Sequence, residues 1–275
     1  MKGVLYVVST PIGNLEDITL RALRILKEVD LIAAEDTRHS LKLLSHFGIS
    51  KPMISYWKEK EQVRSDKIMM KLHEGLSVAL ISDAGTPGIA DPGAVLINKA
   101  VQEDIQIVPV PGPSAFIAAL SVSGLPAENF TFMGFLPSGK TQRKKILSNI
   151  SLEHKTLVFY EAPHRISETL EDMENIFGNR RIAVVKEITK IHEEILRGSI
   201  SDIVVQMRDK KIAGEYVIIV EGMSEFHEHS MEDVLMEIRM LMKKGLGRKE
   251  AVKKVAEEYG LSKKELYDKS LNEIS

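Results

Sequence analysis

A loop rich in glycine and proline is the first candidate for chemistry in this chain. Residues 82–93 read Ser-Asp-Ala-Gly-Thr-Pro-Gly-Ile-Ala-Asp-Pro-Gly and lie between the apolar run 76–81 and a run of helical periodicity that starts at Ala94. Glycine and proline allow a backbone to bend sharply and to approach a ligand closely. Such a loop at the carboxyl end of a strand in an α/β sheet is typical of a ligand site. Asp91 and Pro92 predict the N-cap and the first residue of the following helix.

Two further loops have the same character. Residues 9–15 read Ser-Thr-Pro-Ile-Gly-Asn-Leu, and residues 108–115 read Val-Pro-Val-Pro-Gly-Pro-Ser-Ala. A single loop of this type is as often structural as functional. Three of them, each behind a β-like run, predict one shared cleft that holds one ligand.

Composition limits the class of protein. The chain has 275 residues, of which 44% are hydrophobic and 28% charged, so it can bury one or two sizeable cores. The absence of cysteine excludes disulfides, thiolate catalysis and cysteine zinc sites. No apolar stretch has the length of a membrane span, and the N-terminus does not read as a signal peptide. These features predict a cytoplasmic protein without a membrane partner.

The alternation of β-like and amphipathic runs predicts the architecture. Residues 1–122 are expected to form an α/β domain with a mostly parallel sheet, residues 123–222 a second α/β domain, and residues 231–275 a helical tail behind a polar linker at 222–230. A cleft between the two α/β domains is the expected ligand site. The predicted strands are 4–8, 31–34, 78–81, 106–110, 130–135, 156–160, 181–186, 194–196 and 216–221. The predicted helices are 18–29, 40–47, 62–73, 142–150, 163–177 and 200–207, with two more starting at 92 and 114.

The tail is the most basic part of the chain. Residues 239–264 contain nine Lys or Arg and three Glu, against a net charge of -2 for the whole sequence. Two apolar stripes predict helices, and Ser262 with Glu265 has the spacing of a capping box for a third. The stripes are Val234, Leu235, Ile238, Leu241 and Met242, and then Val252, Val255, Ala256 and Tyr259, with a turn at 260–262. Residues 249–269 fit either a helix-turn-helix that binds nucleic acid or a three-helix packing or dimer element.

Six segments carry a resemblance to a known family. In order and spacing they closely resemble the ribosomal small-subunit RNA (cytidine-2'-O)-methyltransferases of the tetrapyrrole methylase superfamily. The segments are 10–19, 34–38, 82–93, 110–115, 159–165 and 214–222. The resemblance implies the two-domain tetrapyrrole-methylase-like fold, a homodimer, and S-adenosylmethionine bound between the domains. It also implies methylation of a cytidine ribose 2'-hydroxyl in 16S ribosomal RNA near the decoding centre, within the 30S subunit.

The chain departs from the members of that superfamily that methylate tetrapyrroles. Their first loop is richer in glycine than residues 10–15, and their glycine-aspartate-proline triplet stands here as Gly85-Thr86-Pro87. Both departures favour the RNA enzyme. A small-molecule tetrapyrrole methylase and a nucleic-acid-binding regulator that senses a nucleotide remain the alternatives, although no dinucleotide fingerprint for NAD is present.

The expected binding residues for S-adenosylmethionine come from the loops and from the facing strand ends. They are Pro11, Asp83, Ala84, Gly85, Gly88, Ile89, Ala90, Ser114, Ala115, Tyr160, Ala162, Glu215, Tyr216 and Val217. Asp83 has a structural alternative, which is to hold the amide groups of its own loop.

A weakly nucleophilic ribose hydroxyl benefits from a group that accepts its proton. The candidate catalytic residues are Glu35, Arg38, Glu161, His164, Arg165 and Glu187. The two arginines are better suited to contact phosphate or bases. His164 has the ionisation range of a base, but a lone histidine just after a proline is more often a surface or capping residue. Asp36 reads as a helix cap, and residues 143–145 as a basic rim or a solvated helix face. No residue spacing predicts a metal site.

Overall fold

The computed structural model describes residues 2–208, 210, 212–223, 231–258 and 261–273. The chain divides into two compact units, Met1–Gly222 and Met223–Ser275. The first unit contains two β-sheets, and the predicted boundary at residue 122 falls between them. Most of the predicted linker, residues 224–230, lies outside the described residues.

The first sheet is parallel throughout, with the strand order β3-β2-β4-β1-β5. Its strands are β1 (Val4–Val8), β2 (Leu31–Ala34), β3 (Met53–Ser55), β4 (Val78–Ile81) and β5 (Gln106–Val110). Every residue of β4 is buried, as expected for a strand covered on both faces. Alternate residues of β2 and β4 enter two separate cores, one on each face of the sheet. Strand β3 was not predicted, because three residues are too short a run to show alternation.

Helices connect these strands. They are α1 (Leu20–Glu28), α2 (Thr37–His46), α3 (Glu61–His73), α4 (Ala94–Gln102) and α5 (Ala115–Val122). Thr19 caps α1 by accepting a hydrogen bond from the backbone of Ala22. Asp36 caps α2 in the same way, with its Oδ1 2.8 Å from the Arg38 nitrogen, which confirms the capping interpretation.

The second sheet is mixed, with the order β6-β7-β10-β8-β9. Its strands are β6 (Phe130–Phe135), β7 (Thr156–Glu161), β8 (Arg181–Lys186), β9 (Glu194–Ser199) and β10 (Tyr216–Val220). Only β6 and β7 are parallel; the other pairs are antiparallel. Three helices, α6 (Lys140–Asn149), α7 (Ile166–Phe177) and α8 (Ile200–Arg208), share a core with one face. Helix α5 packs on the other face through Ala119 and Leu120, so it joins the two sheets.

The second unit contains α9 (Met231–Lys243), α10 (Arg248–Glu258) and α11 (Lys263–Glu273). All three helices contribute to one small core, which includes Ile238, Val255 and Leu266. The predicted capping contact is present on one side, with the Ser262 hydroxyl 3.5 Å from the Glu265 nitrogen. The predicted positions Tyr259 and Gly260 lie outside the described residues.

Within the described part of the chain, no helix combines the length and apolar character needed to cross a membrane.

Candidate active site

A cavity of about 290 Å³ lies where the loops behind β1, β4 and β5 face the ends of β6, β7 and β8 and the start of β10. Its volume is at the lower end of the range for small-molecule sites, about 300–1,000 Å³. The first side is lined by Ile12, Ala84, Gly85, Thr86, Ile89, Ala90, Asp91, Ser114, Ala115 and Phe116. The second side is lined by Phe135, Tyr160, Glu161, Ala162, Pro163, Val185, Ile188, Glu215, Tyr216 and Val217.

The loops behind β1 and β4 are fastened together by their main chains. Thr10 and Gly85 exchange two backbone hydrogen bonds of 2.9 and 3.0 Å, and the hydroxyls of Ser9 and Thr86 are 2.8 Å apart. Gly85 has φ +77°, a conformation that favours glycine, and a Cβ there would lie 3.4 Å from the Ile12 side chain. This part of the wall is therefore built mainly from backbone atoms and small side chains.

Asp91 lines the cavity and does not cap helix α4, so the predicted helix start at Asp91 and Pro92 is wrong. The N-cap is Gly93, whose φ of +148° is open to glycine, and Glu61 Oε1 accepts a hydrogen bond of 2.7 Å from its nitrogen. A Cβ at Gly93 would lie 2.9 Å from the Gly88 nitrogen, so the loop closes tightly on itself. This extra turn leaves the Asp91 carboxylate beside the cavity.

Carboxyl groups gather behind this loop, at the ends of β2 and β4. The Asp83 nitrogen donates to Glu35 Oε2 at 3.3 Å, and Asp83 Oδ1 accepts from the Asp36 nitrogen at 3.0 Å. Burial raises the pKa of Glu35 to about 7, and the charges of Asp91, Asp83 and Asp36 add to this effect. Burial also raises the pKa of Asp91, despite a hydrogen bond from the Ser82 hydroxyl.

Glu161 is fixed in place by neighbours in the second sheet and α7. Its buried carboxylate accepts hydrogen bonds from Arg165 Nη2 at 2.5 Å, Thr169 Oγ1 at 2.6 Å and the Ala162 nitrogen at 2.7 Å. The Arg165 side chain is itself 14% exposed. The pair therefore holds the end of β7 in one conformation, and it presents no free carboxylate to the cavity.

Glu187 organises the opposite edge. Its Oε1 accepts hydrogen bonds from Lys190 Nζ at 2.8 Å and from the Glu215 nitrogen at 2.9 Å, and Lys190 also binds the Glu215 carboxylate at 2.8 Å. Glu187 and Thr189 both have positive φ, +49° and +67°. Since L-residues rarely adopt this region, the ion pairs hold the loop in a strained backbone conformation.

The structure brings most of the predicted binding residues together around the cavity. Pro11, Asp83 and Gly88 lie in the same loops but not on the cavity wall. Of the predicted catalytic residues, Glu161 lines the cavity, Arg38 and His164 are exposed, and Glu35, Arg165 and Glu187 stand behind the wall. The sequence did not indicate the lining residues Ile12, Thr86, Asp91, Phe116, Phe135, Pro163, Val185 and Ile188. Asp91 could have been found as a second carboxylate in the same loop.

Arg143 does not belong to a basic rim or a solvated face, which corrects that prediction. Its side chain is fully buried between α6 and α7, where it binds Asp172 at 2.8 Å and Glu168 at 3.2 Å. A planar guanidinium can satisfy a buried carboxylate in this way. Lys144 lies 3.4 Å from Asp172, and Lys145 is exposed.

The described residues include no group of three or more His, Asp or Glu arranged to hold a metal ion. The cavity wall places the Asp91 carboxylate among small and aromatic side chains, while the Glu215 carboxylate binds Lys190. A compact cationic ligand with a flat ring fits these residues.

Comparison with known proteins defines the class of this chain. A family model described as Tetrapyrrole (Corrin/Porphyrin) Methylases matches residues 4–204. Among solved structures, uroporphyrin-III-C-methyltransferase from Thermus thermophilus has a TM-score of 0.58 at 19% identity and covers 80% of this chain and 94% of its own. Diphthine synthase has a TM-score of 0.62 at 14% identity, and the match covers 80% of this chain and 90% of diphthine synthase. These likenesses show the fold.

Similarity to curated relatives is closer. A protein named Ribosomal RNA small subunit methyltransferase I from Halalkalibacterium halodurans is 45% identical over 97% of this chain and 94% of its own length. The protein of the same name from Xylella fastidiosa is 46% identical over 96% of this chain and 98% of its own length. The one from Bacillus subtilis is 42% identical over 97% of this chain and 93% of its own length. The chain therefore belongs to the ribosomal RNA small subunit methyltransferase I family within the tetrapyrrole methylases. It is an S-adenosylmethionine-dependent methyltransferase.

Proposed function

We propose that the chain methylates the ribose 2'-oxygen of a cytidine in 16S ribosomal RNA, with S-adenosylmethionine as the donor. The observation that carries the proposal is the cavity wall, where backbone-lined loops bring the Asp91 carboxylate next to aromatic rings. The names of the curated relatives support ribosomal RNA as the substrate class. We further propose that the protein is a cytoplasmic homodimer that acts on the 30S subunit.

The residues that would hold the donor come from both sides of the cavity. Main-chain groups at Ala84, Gly85 and Ala90 would contact it from the first side, while Ala162 and Val217 would contact its adenine from the second. When bound, S-adenosylmethionine supplies an electrophilic methyl group on a positively charged sulfur. The Asp91 carboxylate in the wall favours that charge, and fixed loops keep the reacting atoms aligned, which can supply much of the rate.

Asp91 is the carboxylate best placed to receive the proton of the ribose hydroxyl. Among the lining carboxylates, Glu161 is fully engaged by Arg165 and Thr169, and Glu215 is bound to Lys190. Partial burial raises the pKa of Asp91, which makes it a stronger base. Glu35 lies behind Asp91, and the charge of Asp91 helps to raise the pKa of Glu35.

The helical unit would bind the RNA backbone. A groove of about 360 Å³ between α10 and α11 is flanked by Lys249, Lys253, Lys263 and Lys264, with Tyr267 and one carboxylate, Asp268, at its wall. Four ammonium groups around one groove suit phosphate, which dominates affinity for nucleic acids. Arg248 donates a hydrogen bond of 3.0 Å to the Ser270 carbonyl, so the lysines are the better test.

Label transfer tests the reaction. Purified protein is incubated with methyl-labelled S-adenosylmethionine and, separately, with 30S particles, naked 16S RNA and a porphyrinoid, and the RNA is then digested to nucleosides. We expect label in 2'-O-methylcytidine, and the Asp91→Asn variant serves as the matched control for background transfer. Label on the porphyrinoid alone would contradict the proposal and would favour a tetrapyrrole methylase.

RNA binding by the helical unit is tested by its salt dependence. In the full-length protein, replacing Lys253 and Lys264 with glutamine should lower the slope of log Kd against log salt by about 1.5, at about 0.7–0.9 per phosphate contact. Replacing the exposed Lys243 and Lys244, which do not line the groove, removes the same charge and is the control. Equal slopes in the two double variants would contradict a phosphate site in the groove.

A further inference from the structure

Phe135 is an aromatic side chain that the fold leaves at the surface of the cavity. It is 55% exposed although it lines the cavity wall. Exposed single hydrophobic residues are ordinary, but an exposed aromatic ring at the edge of a ligand cavity is a candidate contact for a partner. Trp57 is comparably exposed, at 44%, and does not line this cavity.

A β-bulge places Phe135 there. The register of β6 against β7 shifts between Phe132 and Gly134, and Gly134 has φ +62°. In a regular strand, residues three apart point to opposite faces. The extra residue reverses this alternation, so that the rings of Phe132 and Phe135 both approach Tyr160. Bulges often turn a side chain toward an active site.

The ring next to Phe135 is held firmly by other rings. Tyr160 lies 5.0 Å from Phe132 in an edge-to-face arrangement and 5.4 Å from Phe135 at 53°, measured between ring centroids. Phe116 stacks on Phe132 at 4.3 Å, which closes the cluster from α5. Phe135 is thus the solvent-facing end of a packed aromatic cluster, and it has little freedom to collapse inward.

We propose that Phe135 stacks on the nucleobase of the target nucleotide and so holds its ribose over the cavity. The inference rests on the proposed function and specifies the contact that positions its RNA substrate. Unpaired bases are recognised by stacking on aromatic side chains, and a base removed from its helix needs such a partner.

The exposure of Phe135 favours the base of the RNA over the adenine of the donor. The cavity has room for one small ligand, and its inner wall already offers Tyr160, Ala162 and Val217 to that ligand. A ring with more than half of its surface open to solvent is available to a group that arrives from outside. Stacking tolerates any base, so Phe135 contributes affinity and position and does not select cytidine.

Steady-state kinetics test the proposal. Phe135→Ala should raise KM for the ribosomal substrate by about 10- to 100-fold, which is the range for loss of one base–aromatic stack. KM for S-adenosylmethionine should stay within about twofold. Phe135→Trp should keep wild-type values and Phe135→Leu should fall between, while Trp57→Ala is the matched control for loss of an exposed ring.

A fluorescence experiment distinguishes the two flat groups that could stack on Phe135, a base of the RNA and the adenine of the donor. The chain has one tryptophan, so the double variant Trp57→Phe with Phe135→Trp carries a single reporter at the cavity edge. Stacking quenches indole emission, and we expect quenching by naked 16S RNA in the presence of S-adenosylhomocysteine. Quenching by S-adenosylmethionine alone, or by neither ligand, would overturn the inference.

The two proposals fail in different ways. If the wild-type protein transfers no label to RNA, the proposed function fails and the inference falls with it. If the wild-type protein methylates RNA but Phe135→Ala has an unchanged KM for it, only the stacking role of Phe135 is refuted.

Discussion

Glu35 should make the folding stability of this protein depend on pH in a way that Glu35→Gln removes. In the folded chain, burial raises the pKa of Glu35 from 4.5 to about 7, partly offset by the hydrogen bond from the Asp83 backbone, and the charge of Asp91 adds to the rise. The folded protein therefore keeps a proton between these two values that the unfolded chain has lost. The contribution of Glu35 to stability is greatest below pH 4.5 and decreases as the pH rises to 7.

The size of the effect follows from the two pKa values. A difference between 4.5 and about 7 corresponds to about 3 kcal/mol at about 1.4 kcal/mol for each tenfold change in proton affinity. Part of this titration lies below pH 5, and solvent partly screens this half-buried carboxyl, so between pH 5 and pH 8 the wild-type protein should lose about 2 kcal/mol relative to Glu35→Gln. Glutamine keeps an oxygen that can accept the hydrogen bond from the Asp83 nitrogen, which limits the change to the charge.

Urea unfolding at pH 5 and pH 8 measures the effect as a double difference: the change in unfolding free energy between the two pH values for the wild-type protein, minus the same change for Glu35→Gln. The free energies of unfolding of the wild-type protein and of Glu35→Gln are compared at each pH, and the same comparison with the exposed Glu16→Gln is the control. A double difference below about 0.5 kcal/mol would show that the pKa of Glu35 in the folded protein stays near its ordinary value, and one of opposite sign would show that folding lowers it; either result contradicts this prediction.

Three further substitutions have definite expected outcomes. Asp91→Asn should lower kcat by about 10²- to 10⁴-fold and remove the loss of activity at acid pH, as measured by the kcat profile between pH 5 and 9. Arg143→Met should destabilise the protein by about 3 kcal/mol, because the buried Asp172 loses the guanidinium at 2.8 Å and keeps the weaker contact with Lys144 at 3.4 Å. Urea unfolding should also show recovery in the double variant with Asp172→Leu. Gly93→Ala should lower Tm, since its Cβ would lie 2.9 Å from the Gly88 nitrogen at φ +148°; an unchanged melting curve would contradict the closed loop.

The fold was largely predictable because hydrophobic runs and turn residues alternate along the chain. The observed strands β1, β2, β4 and β5 coincide with the predicted ranges, since buried parallel strands read as short apolar runs. The antiparallel pairing of β7, β8 and β10 was not predictable, because a short apolar run does not show the direction of its neighbour. Arg143 was misread because a buried ion pair between two helices has no local pattern.

The backbone side of the cavity was predictable for a related reason. Glycine and proline mark loops that need unusual backbone angles, and those loops follow strands that end at one edge of the sheet. Phe135 was not predictable, because strand alternation sets it on the face opposite Phe132 and only the bulge at Gly134 reverses this. Asp91 was misassigned because Asp-Pro is also a good helix start, and tertiary contacts of Gly93 moved that start by two residues.

The strained loop of Glu187 and Thr189 has a consequence for local dynamics. Left-handed backbone at two non-glycine residues costs roughly 1–3 kcal/mol each, and the partly exposed ion pairs of Lys190 oppose that cost. Because mobile ions screen exposed pairs, amide hydrogen exchange of residues 187–190 should accelerate between 50 mM and 1 M sodium chloride, while that of the neighbouring strand β8 should not. This edge of the cavity is thus expected to open locally at an ionic strength that leaves the rest of the sheet intact.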